Sequence, residues 1–255
     1  MRTLRQRMVV RVFGGHGTIS GTTWARLLER YFYFFMAFLV VVPVAYGFSF
    51  TVGQNLIHPA VPRPGILYLH AAVFTGWLVF FVLQTGLVRA RKVQWHRRAG
   101  WFGLALGIMI IGLGVSTAVA MARFNALTLH QSDAASSLII PLFDMLCFTS
   151  SFAPAIWWRK SPEWHRRLML IATCVLTAAG FGRFPEWLLP RYLFYGGVDA
   201  LILLGVARDL VVTPRIHPVY LIALPALLTG QIMVTYTALH TVSSWLRIAH
   251  AILGC

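Results

Sequence analysis

The chain has 255 residues, of which 58% are hydrophobic and only 11% charged, and its formal net charge is +15. Apolar surface on that scale aggregates in water, so a soluble domain is excluded, and a single membrane domain over residues 24–255 is expected behind a basic tail, 1–23. The surplus of Lys and Arg does not mark a nucleic-acid protein, because those residues sit in particular loops between apolar runs and not along one face or groove.

The tail carries Arg2, Arg5, Arg7 and Arg11, then Gly14, Gly15, Gly17 and Gly21, with little to bury. A disordered cytoplasmic segment is expected. A cleavable secretory signal is the competing reading, but the apolar core begins only near Tyr31, is as long as a full span and lacks a small-x-small exit.

Seven apolar runs follow, at about 31–51, 65–88, 99–122, 136–158, 168–182, 195–212 and 218–240. The expected fold class is therefore an all-α integral membrane protein, a bundle of about seven transmembrane helices. Pro43 inside the first run is tolerated because neighbouring helices satisfy the freed carbonyl, and Pro64 opens the second where a missing amide costs nothing. The tail and the alternate loops hold 17 of the Lys and Arg residues against 5 in the remaining segments. Positive charge stays inside, so the amino terminus is placed in the cytoplasm and the carboxyl terminus outside a bacterial inner membrane.

In the third run Gly100, Gly103, Gly107, Gly114, Ala118 and Ala122 recur at spacings of three, four and seven, lining one face with small residues. Such a stripe lets another helix approach closely, either within the chain or from a second copy in a homo-oligomer.

Two loops end alike, in Trp95-His96-Arg97-Arg98 and Trp164-His165-Arg166-Arg167, 69 residues apart, and Arg215-Ile216-His217-Pro218 stands in the same place before the seventh run. The period equals one pair of helices with its loops, which suggests a duplicated helical hairpin. Two readings compete. In one, Trp sits in the interfacial belt and Arg97, Arg98, Arg166 and Arg167 hold anionic headgroups, so the string is an anchor. In the other, His96 and His165 face each other across the cytoplasmic end of the bundle and ligate a haem iron.

At the opposite end, His70 in the second run and Asp144 in the fourth reach similar depths from the outer surface, and Arg183 and Asp199 lie nearby. An ionised Asp near mid-bilayer costs about 3 kcal/mol, so these groups should be paired, protonated or in a wet cavity. They form either a structural network, Arg183 with Asp199 and His70 with Asp144, or an outward pocket of a proton-coupled small-molecule transporter with Gln84 or Gln231 deeper along the path. Cys147, Cys174 and Cys255 have no metal or redox spacing, and His16, His58, His130, His240 and His250 have no ligand partners nearby. Hydrolase and transferase chemistry finds no motif: there is no nucleophile with a neighbouring base, no phosphate-binding glycine loop and no paired metal motif.

The stretch from Leu69-His70 through Trp77 and Gln84 to Trp95-His96-Arg97-Arg98-Ala99-Gly100, with Arg166-Arg167-Leu168-Met169 and Arg215-Ile216-His217-Pro218-Val219-Tyr220, resembles a class of uncharacterised bacterial multi-pass proteins, a domain of unknown function. That resemblance covers about residues 65–220 and implies no activity. A weaker likeness is to the transmembrane cytochromes b that hold two haems b in a four-helix core. It implies haem ligation by His70, His96 and His165 on the second, third and fifth spans, with Asp144 standing where a fourth histidine is needed. Only the inner pair, His96 with His165, stays complete.

Overall fold

The computed structural model describes residues 23–254, so the expectations for the basic tail and for Cys255 fall outside the described residues. Each apolar run becomes helix, because in lipid the backbone amides and carbonyls have only one another as partners. In chain order the helices are α1 (Thr23–Leu39), α2 (Val41–Ser49), α3 (Gly65–Arg89), α4 (Val93–Leu127), α5 (Ala134–Ser137), α6 (Ile139–Trp157), α7 (Pro162–Leu176), α8 (Ala178–Phe181), α9 (Phe194–Val212), α10 (Pro218–Leu239) and α11 (Ser243–Leu253).

Among the described residues, five helical stretches are long and apolar enough to cross a membrane: Ala25–Ser49 (α1 with α2), α3, α4, Ala134–Trp157 (α5 with α6) and α10. That corrects the count of seven. The fifth run yields α7, only 15 residues long and opened by Pro-Glu-Trp-His-Arg-Arg, and the sixth yields α9, whose 19 residues carry Asp199, Arg208 and Asp209. α7 is an interior element, whereas α9 is buried on one face and exposes Leu203, Leu204, Leu210 and Val211 on the other. Leu170, Ile171, Ala172, Thr173 and Cys174 of α7 and Ile202 and Asp209 of α9 have no accessible surface.

The outward faces are apolar and the inward faces carry the polar groups, the reverse of a soluble bundle. On α10, Leu221, Ile222, Ile232 and Met233 are exposed while Tyr220 and Gln231 are buried. Trp95 and Trp157 are exposed at helix ends and Trp187 in the loop between α8 and α9, where an amphipathic ring sits at the headgroup level.

The small-residue stripe of α4 is filled from within the chain. A Cβ added at Gly103 would meet the Phe80 ring of α3, and one at Gly107 or Gly114 would overlap Phe152 or Met145 of α6. Gly103, Gly107 and Gly114 are thus not free for a second copy, while Gly100 and Gly112 have nothing within 4 Å. Phe148 and Phe152 stack at 5.3 Å, and Trp77 meets both edge-on at 5.5 and 5.7 Å, building the core between α3, α4 and α6.

Two local devices aim the helices that matter below. The turn from α3 to α4 is a Schellman closure: the Lys92 amide donates to the Leu87 carbonyl at 2.8 Å, the Arg91 amide to Val88 at 3.0 Å, and Arg91 takes φ 61°. It delivers His96 into the first turn of α4. Thr177 interrupts the helix between α7 and α8 by donating its hydroxyl to the Cys174 carbonyl at 2.6 Å, which competes with the helical ladder.

Candidate functional site

The polar residues expected at the outer end are separate and not one network. His70 stacks on Phe74, one turn on, at 3.9 Å and 27°, and its Nδ1 is buried without a hydrogen-bond partner. Asp144 accepts from the Tyr195 hydroxyl at 2.8 Å, and Asp199 accepts from the Gln231 amide at 3.0 Å. Arg183 donates to the Ala179 carbonyl and lies 4.1 Å over the Phe48 ring. Among the described residues neither His70 with Asp144 nor Arg183 with Asp199 forms a hydrogen bond or ion pair. Both expected pairings are replaced by neutral partners, since Tyr195 and Gln231 reach the two carboxyl groups from packed neighbouring helices.

At the opposite end the two repeated strings do converge. The His96 and His165 rings stand 6.3 Å apart at 74°. Pro162 in the first turn starts α7 in register, and α6 ends at Trp157 just before it. The Arg159 amide turns to the Ile156 carbonyl, which leaves the Ala155 carbonyl without a helical donor. His165 Nδ1 takes that place at 2.8 Å. A carbonyl only accepts, so Nδ1 carries the hydrogen and Nε2 is the basic nitrogen of a neutral ring. His96 has a buried Nδ1 with no partner, and its carbonyl accepts from Gln84 Nε2 at 3.4 Å.

Beside this pair lies a charged cluster that sequence reasoning missed. Arg167, expected at lipid headgroups, is instead 2% exposed. It makes a two-point contact with Asp209, Nε to Oδ2 at 2.8 Å and Nη2 to Oδ1 at 2.6 Å, and its Nη1 donates to Glu163 Oε2 at 2.6 Å. Arg208 donates to Asp209 Oδ1 at 2.9 Å. Arg166 pairs with Glu163 at 2.6 Å and lies 5.2 Å over the Tyr33 ring. Of the four expected headgroup anchors, Arg97 and Arg98 are exposed, Arg166 is half-buried and Arg167 is withdrawn. The overlooked signal was Asp209 itself, an acid within the last turn of an apolar run, beside Arg208 and opposite the Glu163 to Arg167 spacing of one helical turn.

The electrostatics follow from that packing. Partial burial pulls the Glu163 carboxyl upward, but Arg167 and Arg166 outweigh it and hold the group below the usual carboxylate range. His217, capping α10 by accepting from the Val219 amide at 3.3 Å, is kept below the ordinary histidine value by burial and by Arg167. Its neutral ring is the form that can accept. Trp164 packs edge-on against His217 at 4.9 Å, so all three loop histidines border the same end of the bundle.

No protein-family model, curated protein or solved structure matches the chain. The likenesses to the domain of unknown function and to the cytochromes b therefore gain no support from comparison, and the site is read on its own geometry. Among the described residues no group of three or more His, Cys, Asp or Glu could hold a metal ion.

Proposed function

We propose that this multi-pass membrane protein is an electron-transfer protein in which His96 and His165 would hold one haem b. The observation that carries the reading is the 6.3 Å separation of the two rings. That spacing leaves room for one metal atom between the two rings, which two imidazoles would share at bond lengths of about 2 Å. A bare ion would need further protein ligands, whereas haem iron would bring four of its own and ask the chain only for two. Ala155 orients His165 and leaves Nε2 free, the usual arrangement of a metal-bound histidine held through its other nitrogen. When bound, the group supplies one-electron transfer between ferric and ferrous iron. The chain's part is to hold two neutral imidazoles on separate helices and keep their outer nitrogens oriented.

The loop distribution of Lys and Arg supports placing this end in the cytoplasm of a bacterial inner membrane. α7 with α8 runs from Arg167 at this end to Gly180 against α2 at the other, and α9 runs back from Tyr195 beside Asp144 to Asp209.

The test is spectroscopic. Protein made in haem-replete cells and purified in mild detergent should show reduced-minus-oxidised absorption bands that are absent from His96→Ala and from His165→Ala, with partial return on adding imidazole. A colourless wild-type preparation, or bands that survive both substitutions, removes the haem.

A second reading rests on Asp144, a carboxyl 9% exposed whose one protein partner is a hydroxyl and not a cation. Such a group suits a proton site in a small-molecule carrier. Asp144→Asn keeps an acceptor for Tyr195 and should leave the unfolding midpoint unchanged while deleting the infrared carbonyl band of a protonated acid. If the band persists in the variant, Asp144 is not the carrier of that proton.

A further inference from the structure

The first turn of α4 is tied to α3 by a buried amide in an otherwise apolar stretch. Gln84 is 8% exposed and lies a little more than one turn before the end of α3. An amide in such a place costs free energy unless it is hydrogen-bonded. Its Nε2 donates to the His96 carbonyl at 3.4 Å. That carbonyl already serves the ladder of α4, so the amide takes its second lone pair. Contact runs in the other direction as well, because the His96 imidazole borders the main-chain carbonyl of Gln84. Residues 84 and 96 thus meet twice across the turn that the Lys92 and Arg91 amides close.

The second hairpin does the same thing with one part fewer. There His165 Nδ1 reaches the Ala155 carbonyl, 10 residues earlier, at 2.8 Å; here His96 faces Gln84, 12 residues earlier. Each histidine meets a main-chain carbonyl near the end of the helix before its own. The two carbonyls differ in freedom. Ala155 lies where α6 stops, and its oxygen is open to the ring. Gln84 lies inside α3, so its oxygen keeps a helical donor and offers only one remaining lone pair. His96 Nδ1 is accordingly buried without a bond of full geometry. A ring served by a half-used acceptor needs something else to fix its height, and the Gln84 side chain does this by holding the His96 main chain. The same amide carries a second acceptor, Oε1, which is buried and unpaired.

We propose that Gln84 is the positioning residue of His96: by pinning the first turn of α4 it turns Nδ1–H to an acceptor of its own and leaves Nε2 as the basic nitrogen, matching His165. An imidazole held through one nitrogen presents the other in a fixed direction, which is how a ligand histidine is oriented by the groups behind it. The purpose of this device rests on the haem reading, since two Nε2 atoms turned to one gap are what a shared metal atom requires. The tautomer does not rest on it, because Gln84 and both carbonyls belong to the chain alone. A Gln84 that merely clamped two helices would support stability and leave the choice of ring nitrogen indifferent to its loss.

The experiment is nitrogen-15 NMR of histidine-labelled protein made without haem, in detergent, at a pH where both rings are neutral. Signals are assigned by their loss in His96→Ala and His165→Ala. In the wild type both rings should carry the proton on Nδ1, by about the tenfold preference that one net hydrogen bond gives. Gln84→Leu removes the amide and keeps the main-chain carbonyl; His96 should fall to a mixture of tautomers while His165 is unchanged. Gln84→Met, which follows the outline of glutamine, takes its place where leucine prevents folding. An Nε2–H tautomer for His96 in the wild type, a His96 indifferent to both substitutions, or an equal change in both rings overturns the proposal. Absorption spectra of haem-replete protein keep the two readings apart. A colourless wild type with the expected tautomers removes the haem and leaves the role of Gln84; haem bands beside a His96 tautomer that ignores Gln84 remove that role and leave the haem.

Discussion

Asp209→Asn should destabilise the folded chain by about 3–5 kcal/mol, the range seen when one partner of a buried ion pair is removed and the other is left behind. Asparagine preserves the outline of the side chain and deletes its charge, so the loss is electrostatic. Asp209 has no accessible surface and Arg167 and Arg208 are each 2% exposed, so neither guanidinium can recover water by a rotamer change. The measurement is the unfolding midpoint in detergent, read beside the yield of membrane-inserted protein. Glu163→Gln provides the internal contrast, because Glu163 is 54% exposed and its pairs are screened; it should cost less than about 1 kcal/mol. Equal effects for the two variants would mean that Asp209 is not the counter-charge the geometry makes it.

The same pair bears on the histidines. Arg167 stands two residues after His165, and its contact with Asp209 fixes the first turn of α7 against the last turn of α9. His165 is held from the other side by the Ala155 carbonyl of α6. The ring therefore sits on a turn clamped from two directions, which is the support a preorganised ligand needs. In Asp209→Asn the absorption bands expected of the wild type should weaken together with stability.

Helix positions and the approach of His96 to His165 were legible in the sequence because both depend on local rules. Hydrophobic length sets a span, and a repeated Trp-His-Arg-Arg at a helical start sets the level of its histidine. What stayed hidden depends on rotation about the helix axis. His70 and Asp144 share a depth, yet His70 turns toward Phe74 while Asp144 turns toward Tyr195. Depth is read from rise per residue; azimuth is decided by which neighbours pack on each face, and a single chain does not state that. Arg167 was misread for a related reason. Positive charge at a cytoplasmic helix end is usually solvated by headgroups, and only the packing of α9 turns this one inward against Asp209. The span count failed at α7, which is short and lies inside the bundle, and at α9, which carries Asp199, Arg208 and Asp209 and buries the last two while exposing Leu203, Leu204, Leu210 and Val211.

Gly180→Val should be the most damaging apolar substitution in the chain, because the contact it breaks is backbone against backbone. A Cβ at Gly180 would stand 2.6 Å from the Pro43 carbonyl oxygen and 2.8 Å from the Val44 Cα, and one at Gly47 would overlap the Gly180 carbonyl. α2 and α8 thus touch through their main chains, the closest approach two helices can make, and a valine would have to push them apart. Overpacking of a core that can adjust costs about 1–3 kcal/mol, so a contact with no side chain to move should sit at or above the top of that range. Two further glycines calibrate the prediction. Gly103→Ala presses only on the edge of the Phe80 ring, which can tilt, and should cost an intermediate amount. Gly100→Ala meets nothing within 4 Å and should be neutral or stabilising by up to about 1 kcal/mol through helix propensity. Unfolding midpoints in detergent should fall in the order Gly100→Ala, Gly103→Ala, Gly180→Val. A Gly180→Val protein as stable as Gly103→Ala would show that α2 and α8 do not meet, and with them would go the packing that lets α7 and α8 cross the bundle as one interior element.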